Sequence, residues 1–296
     1  MAWQHLLLVL LINVGWGYNF VAAKVSLDSL PVSMVMLGRF LVVTLLLLPF
    51  LRIPRGLMLP TLGIGFLLGV VHFGLMFVGT QLSGDVSSVA IAAQLFVPFG
   101  TVLAVLFLGE RIRWRRTAAL VVAFSGIIVL GFDPTVVSHL DSLFFIALAA
   151  VAMAVATILM RRFPGTGAMQ MQAWTGVVAI PFYLLWMLIA VPDPVGIVQA
   201  APPIALGYVV YTAIAASIIG HGSLYYLLKR YPVSTVSPLM LLSPVIGIVF
   251  GILVYGDDVT WQIAVGGVLT LAGVAVIAMR SGAKQSAATP EKAATP

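Results

Sequence analysis

The chain divides into ten apolar stretches, at about residues 4–24, 31–51, 58–80, 86–108, 114–132, 140–160, 167–191, 203–228, 233–255 and 260–279, bounded by proline, glycine or charge. A helix needs about 20 mostly apolar residues to cross the hydrocarbon core of a bilayer, and each stretch is long enough. Backbone in lipid must satisfy its own hydrogen bonds, so the pattern predicts an all-α integral membrane protein with ten transmembrane helices. Of 296 residues, 61% are hydrophobic and 8% charged, against roughly 25% charged in soluble domains. Residues 1–23 lack a basic start and a cleavage signal and read as a retained first span. The polar tail 281–296 has nothing to bury and is expected to be disordered and cytoplasmic.

Basic residues orient such a bundle, because they are retained in the cytoplasm. The gaps after even-numbered spans hold Arg52, Arg55, Arg111, Arg113, Arg115, Arg116, Arg161, Arg162, Lys229 and Arg230, and the tail adds Arg280, Lys284 and Lys292. The opposite gaps carry Asp28, Asp85, Asp133, Asp141, Asp193, Asp257 and Asp258, with Lys24 at the end of the first span. Both termini are therefore expected in the cytoplasm, with the protein in the cell inner membrane. The net charge of +6 is scattered through short gaps rather than gathered on a folded face, so nucleic acid is not an expected partner. With no cysteine and four histidines, no metal or cofactor is expected.

The sequence also repeats. Val86-Ser87-Ser88-Val89 returns as Val233-Ser234-Thr235-Val236, Leu108-Gly109-Glu110 as Tyr255-Gly256-Asp257, Trp114 as Trp261 and Gly126 as Gly273, always 147 residues on. Pro98 and Pro244 match one residue out of step. Each copy, 1–136 and 137–280, holds five spans, an odd number, so the second enters the membrane inverted. Inverted repeats typify secondary transporters, whose solute site lies near mid-depth between the halves.

The opening Gly15-Trp16-Gly17-Tyr18-Asn19-Phe20-Val21-Ala22-Ala23-Lys24, then Gly38-Arg39-Phe40, then Phe107-Leu108-Gly109-Glu110-Arg111 before a glycine-containing span, together resemble the EamA branch of the drug/metabolite transporter superfamily. The resemblance covers the chain apart from its tail, and within the branch it is most similar to YddG-type amino-acid exporters. It implies export of small metabolites, amino acids above all. The second half departs from the pattern, with Asp257-Asp258 where the first has Glu110-Arg111.

Polar groups inside lipid are costly and each calls for a reason. Arg39 lies about eight residues into its span, about 12 Å deep, too far to reach the surface easily. It either caps helix carbonyls or answers a substrate carboxylate. Lys24, at a helix end, reads as an interfacial anchor. Gly65, Gly69, His72, Met76 and Gly79 share one helical face that either packs a neighbour closely or borders a cavity. Ser87, Ile91, Gln94, Pro98 and Thr101 share another, and Ser217, His221 and Tyr225 a third; for His72, Gln94 and His221 interhelical hydrogen bonding competes with solute contact. Pro98, Pro181, Pro238 and Pro244 break backbone hydrogen bonds, as hinges or as static kinks. Trp16, Asn19, Arg39, His72, Gln94, Ser217, His221 and Tyr225 are thus the candidate substrate-binding residues.

All nine carboxylates fall at span ends, in connections or in the tail, so proton coupling through a buried acid is disfavoured. His72 or His221 would carry it if it exists. An intramembrane enzyme is the rival class, but HExxH, GxSxG and a membrane carboxylate pair are all lacking, and no catalytic residue is expected. Export of another metabolite or of a drug is the nearer alternative. The expected partners are a small-molecule substrate and the lipid bilayer. Gly126, Gly266, Gly267 and Gly273 further suggest a homodimer through spans five and ten.

Overall fold

The computed structural model describes residues 1–109, 113–228, 230–231, 236 and 239–287, except the side chains of 108, 225, 228 and 280–287. Its long helices are α1 (Trp3–Ser29), α2 (Val32–Leu46), α3 (Met58–Leu82), α4 (Val86–Phe107), α5 (Trp114–Leu130), α6 (Leu140–Arg162), α7 (Ala168–Ala190), α8 (Pro203–Leu224), α9 (Leu242–Tyr255) and α10 (Trp261–Ala287). Short helices at Pro134–Val137 and Pro194–Ala200 lie in connections, and no strand occurs among the described residues. The repeat residues Glu110, Val233, Ser234 and Thr235, with Arg111 and Pro238, fall outside those described.

Seven helices, α1, α3, α4, α6, α7, α8 and α10, are long and apolar enough to cross a membrane. The chain is a multi-pass membrane protein. α2 and α9 are apolar but shorter; the 15 residues of α2 reach about 22 Å against a hydrocarbon core of about 30 Å. α5 has 17 residues and opens on Trp114-Arg115-Arg116. α10 continues to Ala287, past the apolar stretch that was expected to end near 279.

The packing has a regularity of its own. α5 lies along α10, α2 along α7 and α4 along α9; α1 packs on α8 and α9, α6 on α3 and α4, and α3–α7 and α2–α8 also touch. Moving every helix five places along the chain turns each of these contacts into itself or into another of the set. The α5–α10 seam is a glycine contact: a Cβ on Gly273 would lie 2.6 Å from the Ala119 carbonyl oxygen and 2.7 Å from the Ala123 nitrogen, and one on Gly266 2.7 Å from the Gly126 carbonyl oxygen. Gly267 faces Ile91. The glycines that suggested a dimer are thus used for close helix packing within one chain. Those on α3 behave alike, Gly65 and Gly69 against α7 and Gly79 against α6.

Two further features recur in the two halves, the first of them 147 residues apart. Gly109 (φ 62°) and Gly256 (φ 69°) both end a helix in the left-handed conformation that a side chain would strain. α3 contains a π-helical segment at Leu67–His72 and α8 one at Thr212–Gly220, and α9 ends in a third, Gly251–Tyr255, that α4 does not match. Such segments release carbonyls from the regular i→i−4 ladder and need other donors. The Tyr183 hydroxyl donates to the Gly69 carbonyl at 2.8 Å, and the Trp16 indole Nε1 to the Ala216 carbonyl at 2.9 Å.

At the face bearing Asp85, Asp133 and Asp257 the polar groups are saturated. Asp257 Oδ2 accepts from Val86 N (3.0 Å), Ser87 N (2.8 Å) and Ser87 Oγ (2.7 Å), joining the end of α9 to the start of α4. Asp85 caps the same helix through Ser88 N and Oγ, and burial raises its carboxyl above the ordinary value against the pull of those bonds. Asp133 accepts from Thr135 N, Val136 N and Thr260 Oγ1. Lys24 Nζ donates to the carbonyls of Thr80 (3.2 Å), Gln81 (3.1 Å) and Ser83 (2.7 Å), closing the C-terminal end of α3. The interfacial anchor is therefore also a helix cap.

Candidate functional site

Deep in the bundle α1, α2, α3 and α8 bring five of the sequence candidates together. Arg39, on α2, is 2% exposed. Its Nη2 donates to Ser217 Oγ on α8 at 2.9 Å. The guanidinium carbon stands 4.3 Å from the centroid of the Phe73 ring and 5.5 Å from that of Phe77, both on α3. Nε and Nη1 are buried without a hydrogen-bond partner, and no carboxylate pairs with Arg39 among the described residues. Among the described residues Arg39 makes no helix-carbonyl cap; Lys24 makes that contact elsewhere.

The other side of Ser217 leads to the aromatic part of the cluster. His221, one turn along α8, lies 5.2 Å from Trp16 between ring centroids. Trp16 seats against Gly220, where a Cβ would come within 3.0 Å of its Cδ1. His221 Nδ1 is 3.1 Å from the Ala216 and 3.2 Å from the Ser217 carbonyl oxygen. A carbonyl only accepts, so Nδ1 carries the proton there, and in the neutral ring Nε2 is left as the acceptor. His72 has the same tautomer, its Nδ1 2.8 Å from the Ala149 carbonyl on α6. That is the interhelical bond considered for it, whereas the hydrogen bonds of His221 stay within α8. His72 also meets the edge of Phe73 at 4.8 Å, which connects it to Arg39 through one ring.

Asn19 lies one turn beyond Trp16 on α1, and its Oδ1 is buried without a partner. Gln94 is half-buried in a short 3-10 segment, Ala93–Leu95, inside α4, and among the described residues no hydrogen bond joins it to the Arg39 cluster. The backbone of Tyr225 continues α8, but its side chain lies outside those described. Sequence reasoning missed Phe73, Phe77 and Tyr183. Phe73 and Phe77, four apart directly after His72, were a readable signal of an aromatic face on α3. Tyr183, stacked on Phe40 at 5.9 Å and bonded to a π-segment carbonyl, was not legible, since nothing in a periodic pattern announces a π segment. Among the described residues no three potential metal ligands come together.

A probable amino-acid metabolite efflux pump of Salmonella typhimurium is 30% identical over 279 residues, covering 90% of this chain and 92% of that protein. A probable terminal-alkyne amino-acid exporter of Streptantibioticus cattleyicolor is 28% identical, covering 94% of each. A crystal structure superposes with a TM-score of 0.63 at 18% identity over 95% of this chain and 98% of the other, a likeness of fold. The EamA-like transporter family model matches twice, at residues 3–132 and 141–279. The chain belongs to the EamA-like transporter family, in which it is similar to amino-acid exporters.

Proposed function

We propose that this transporter exports small amino-acid metabolites, neutral or aromatic amino acids foremost, across the inner membrane by alternating access between two inverted five-helix halves, 1–136 and 137–280. The termini face the cytoplasm, and the solute passes a mid-depth site bordered by Trp16, Asn19, Arg39, His72, Gln94, Ser217, His221 and Tyr225. The two matches of the family model, the helix contacts that map onto themselves after a shift of five, and the paired glycine caps and π segments support the inverted halves. The names of the relatives support the substrate class.

The single observation that carries the reading is the cluster itself: a buried, incompletely satisfied arginine bonded to Ser217 in the π segment of α8 and facing Phe73 and Phe77, which follow the π segment of α3. A polar group left open in lipid is costly without a ligand to meet it. The test is counterflow in proteoliposomes with neutral, acidic and basic amino acids. Exchange of at least one neutral amino acid is expected, and His72→Ala and Gln94→Ala should slow it severalfold with thermal stability near wild type. Absence of exchange for every amino acid would leave the other-metabolite or drug reading in its place. Wild-type rates in the His72, Gln94 and His221 alanine variants would make these faces packing surfaces.

A further inference from the structure

We infer that Arg39 is the carboxylate-binding residue of the solute site, so that the carboxylate is the group this transporter requires and its amide is refused. The inference rests on the export reading above and adds the chemistry of recognition to it. A guanidinium has five N–H donors. Here one is used, by the Ser217 hydroxyl, while Nε and Nη1 are both buried and unpartnered. Elsewhere in the bundle a half-buried cation is fully served: Lys24 spends its ammonium on three carbonyls. The difference lies in the surroundings, since α2 places Arg39 among rings and a hydroxyl.

The geometry narrows the ligand. Phe73, at 4.3 Å, and Phe77, at 5.5 Å, hold the charge over their rings, which favours a cation but provides no hydrogen-bond acceptor. A partner for Nε and Nη1 must therefore approach in the guanidinium plane and offer more than one oxygen. A carboxylate meets the planar fork in that way, with two parallel charge-assisted bonds. It also supplies the counter-charge that no described acid provides; an isolated buried charge is among the costliest groups in a fold. Ser217 holds the fork at Nη2 and so sets its orientation, in the role of a positioning residue.

The experiment is ligand binding to the purified protein, read by thermal shift and by tryptophan fluorescence. L-leucine and L-phenylalanine are compared with L-leucinamide and L-phenylalaninamide, and with isovalerate and hydrocinnamate, which keep the carboxylate and lack the amine. The acids are expected to stabilise the wild type and the amides not. Arg39→Gln should bind the acids at least about tenfold more weakly, while its own melting temperature without ligand stays level or rises. Equal binding of acid and amide by the wild type, or unchanged acid binding by Arg39→Gln, would overturn the assignment. Should Arg39→Gln not fold, Arg39→Lys is expected to fold and to prefer acid over amide with weaker affinity; if neither folds, Arg39 is a structural strut and the assignment falls. If isovalerate or hydrocinnamate binds through Arg39 and no amino acid does, the carboxylate site stands and the amino-acid reading fails. If Arg39→Gln exchanges amino acids at wild-type rates, the reverse holds.

Discussion

The two ends of polar bonding in this bundle are treated in opposite ways. At the face carrying Asp85, Asp133 and Asp257, carboxylates take backbone N–H groups of α4 or of the Pro134–Val137 turn, and Lys24 takes the last carbonyls of α3. Around Arg39 the chain instead leaves Nε and Nη1 buried and unmatched. Saturated groups fix helix ends that would otherwise expose unpaired backbone at the edge of the hydrocarbon. Unsaturated ones at the junction of helices lower stability and have no structural use, which is the pattern expected where a ligand completes the set.

The largest effect that can break this contrast is at Asp257. Asp257→Ala leaves two backbone donors and the Ser87 hydroxyl without their acceptor and should destabilise the protein by about 2–3 kcal/mol, measured by thermal or denaturant unfolding. The carboxylate has room because residue 251 is glycine: a Cβ there would lie 3.0 Å from Ser87 Oγ and 3.2 Å from Asp257 Cγ. Gly251→Ala should therefore have the same sign and a smaller size. Exactly 147 residues earlier the sequence reads Ala104 and Glu110, a larger neighbour with a longer acid. Gly251→Ala combined with Asp257→Glu should accordingly recover most of what Gly251→Ala loses. A double variant no more stable than the single one would remove this complementarity.

Next in size is Lys24→Met, which keeps the apolar stem and removes the cap on the Thr80, Gln81 and Ser83 carbonyls. A loss of about 1–2 kcal/mol is expected, set against no loss for Arg39→Gln. Finding the two cations equally important for stability would erase the distinction between them.

The sequence made the span positions readable because apolar length is a local property, and the ends of α3, α4, α6 and α7 fall within a few residues of the stretches seen. It also made Trp16, Arg39, Ser217 and His221 readable as polar or aromatic residues too deep to be anchors. What joins them was not readable. Asp257 meets Ser87 across 170 residues and Arg39 meets Ser217 across 178, and helical periodicity says which face a residue occupies but not which helix it faces. The repeat register came closest, since it pairs Gly109 with Gly256, and those two glycines have the same backbone conformation. The π segments stayed hidden because leucine, glycine and valine in Leu67–His72 suit an ordinary helix equally well.

The smallest expected effect tests whether the open site is arranged or merely left over. Ser217→Ala removes the only hydrogen bond that Arg39 makes among the described residues, and its hydroxyl also donates to the Thr212 carbonyl in the π segment at 3.2 Å. If Arg39 were a strut between α2 and α8, losing this bond would leave a buried charge with no polar partner at all, and the unfolding free energy would fall by several kcal/mol. If the guanidinium is already unsatisfied and completed by ligand, one neutral hydroxyl matters little to the fold, about 0.5–1 kcal/mol. The effect should then appear in recognition: the fork loses its orientation, acid affinity drops severalfold, and the preference for acid over amide narrows without vanishing. A Ser217→Ala protein that binds acids as the wild type does, yet melts far lower, would move Ser217 and Arg39 to the saturated, structural side of the comparison.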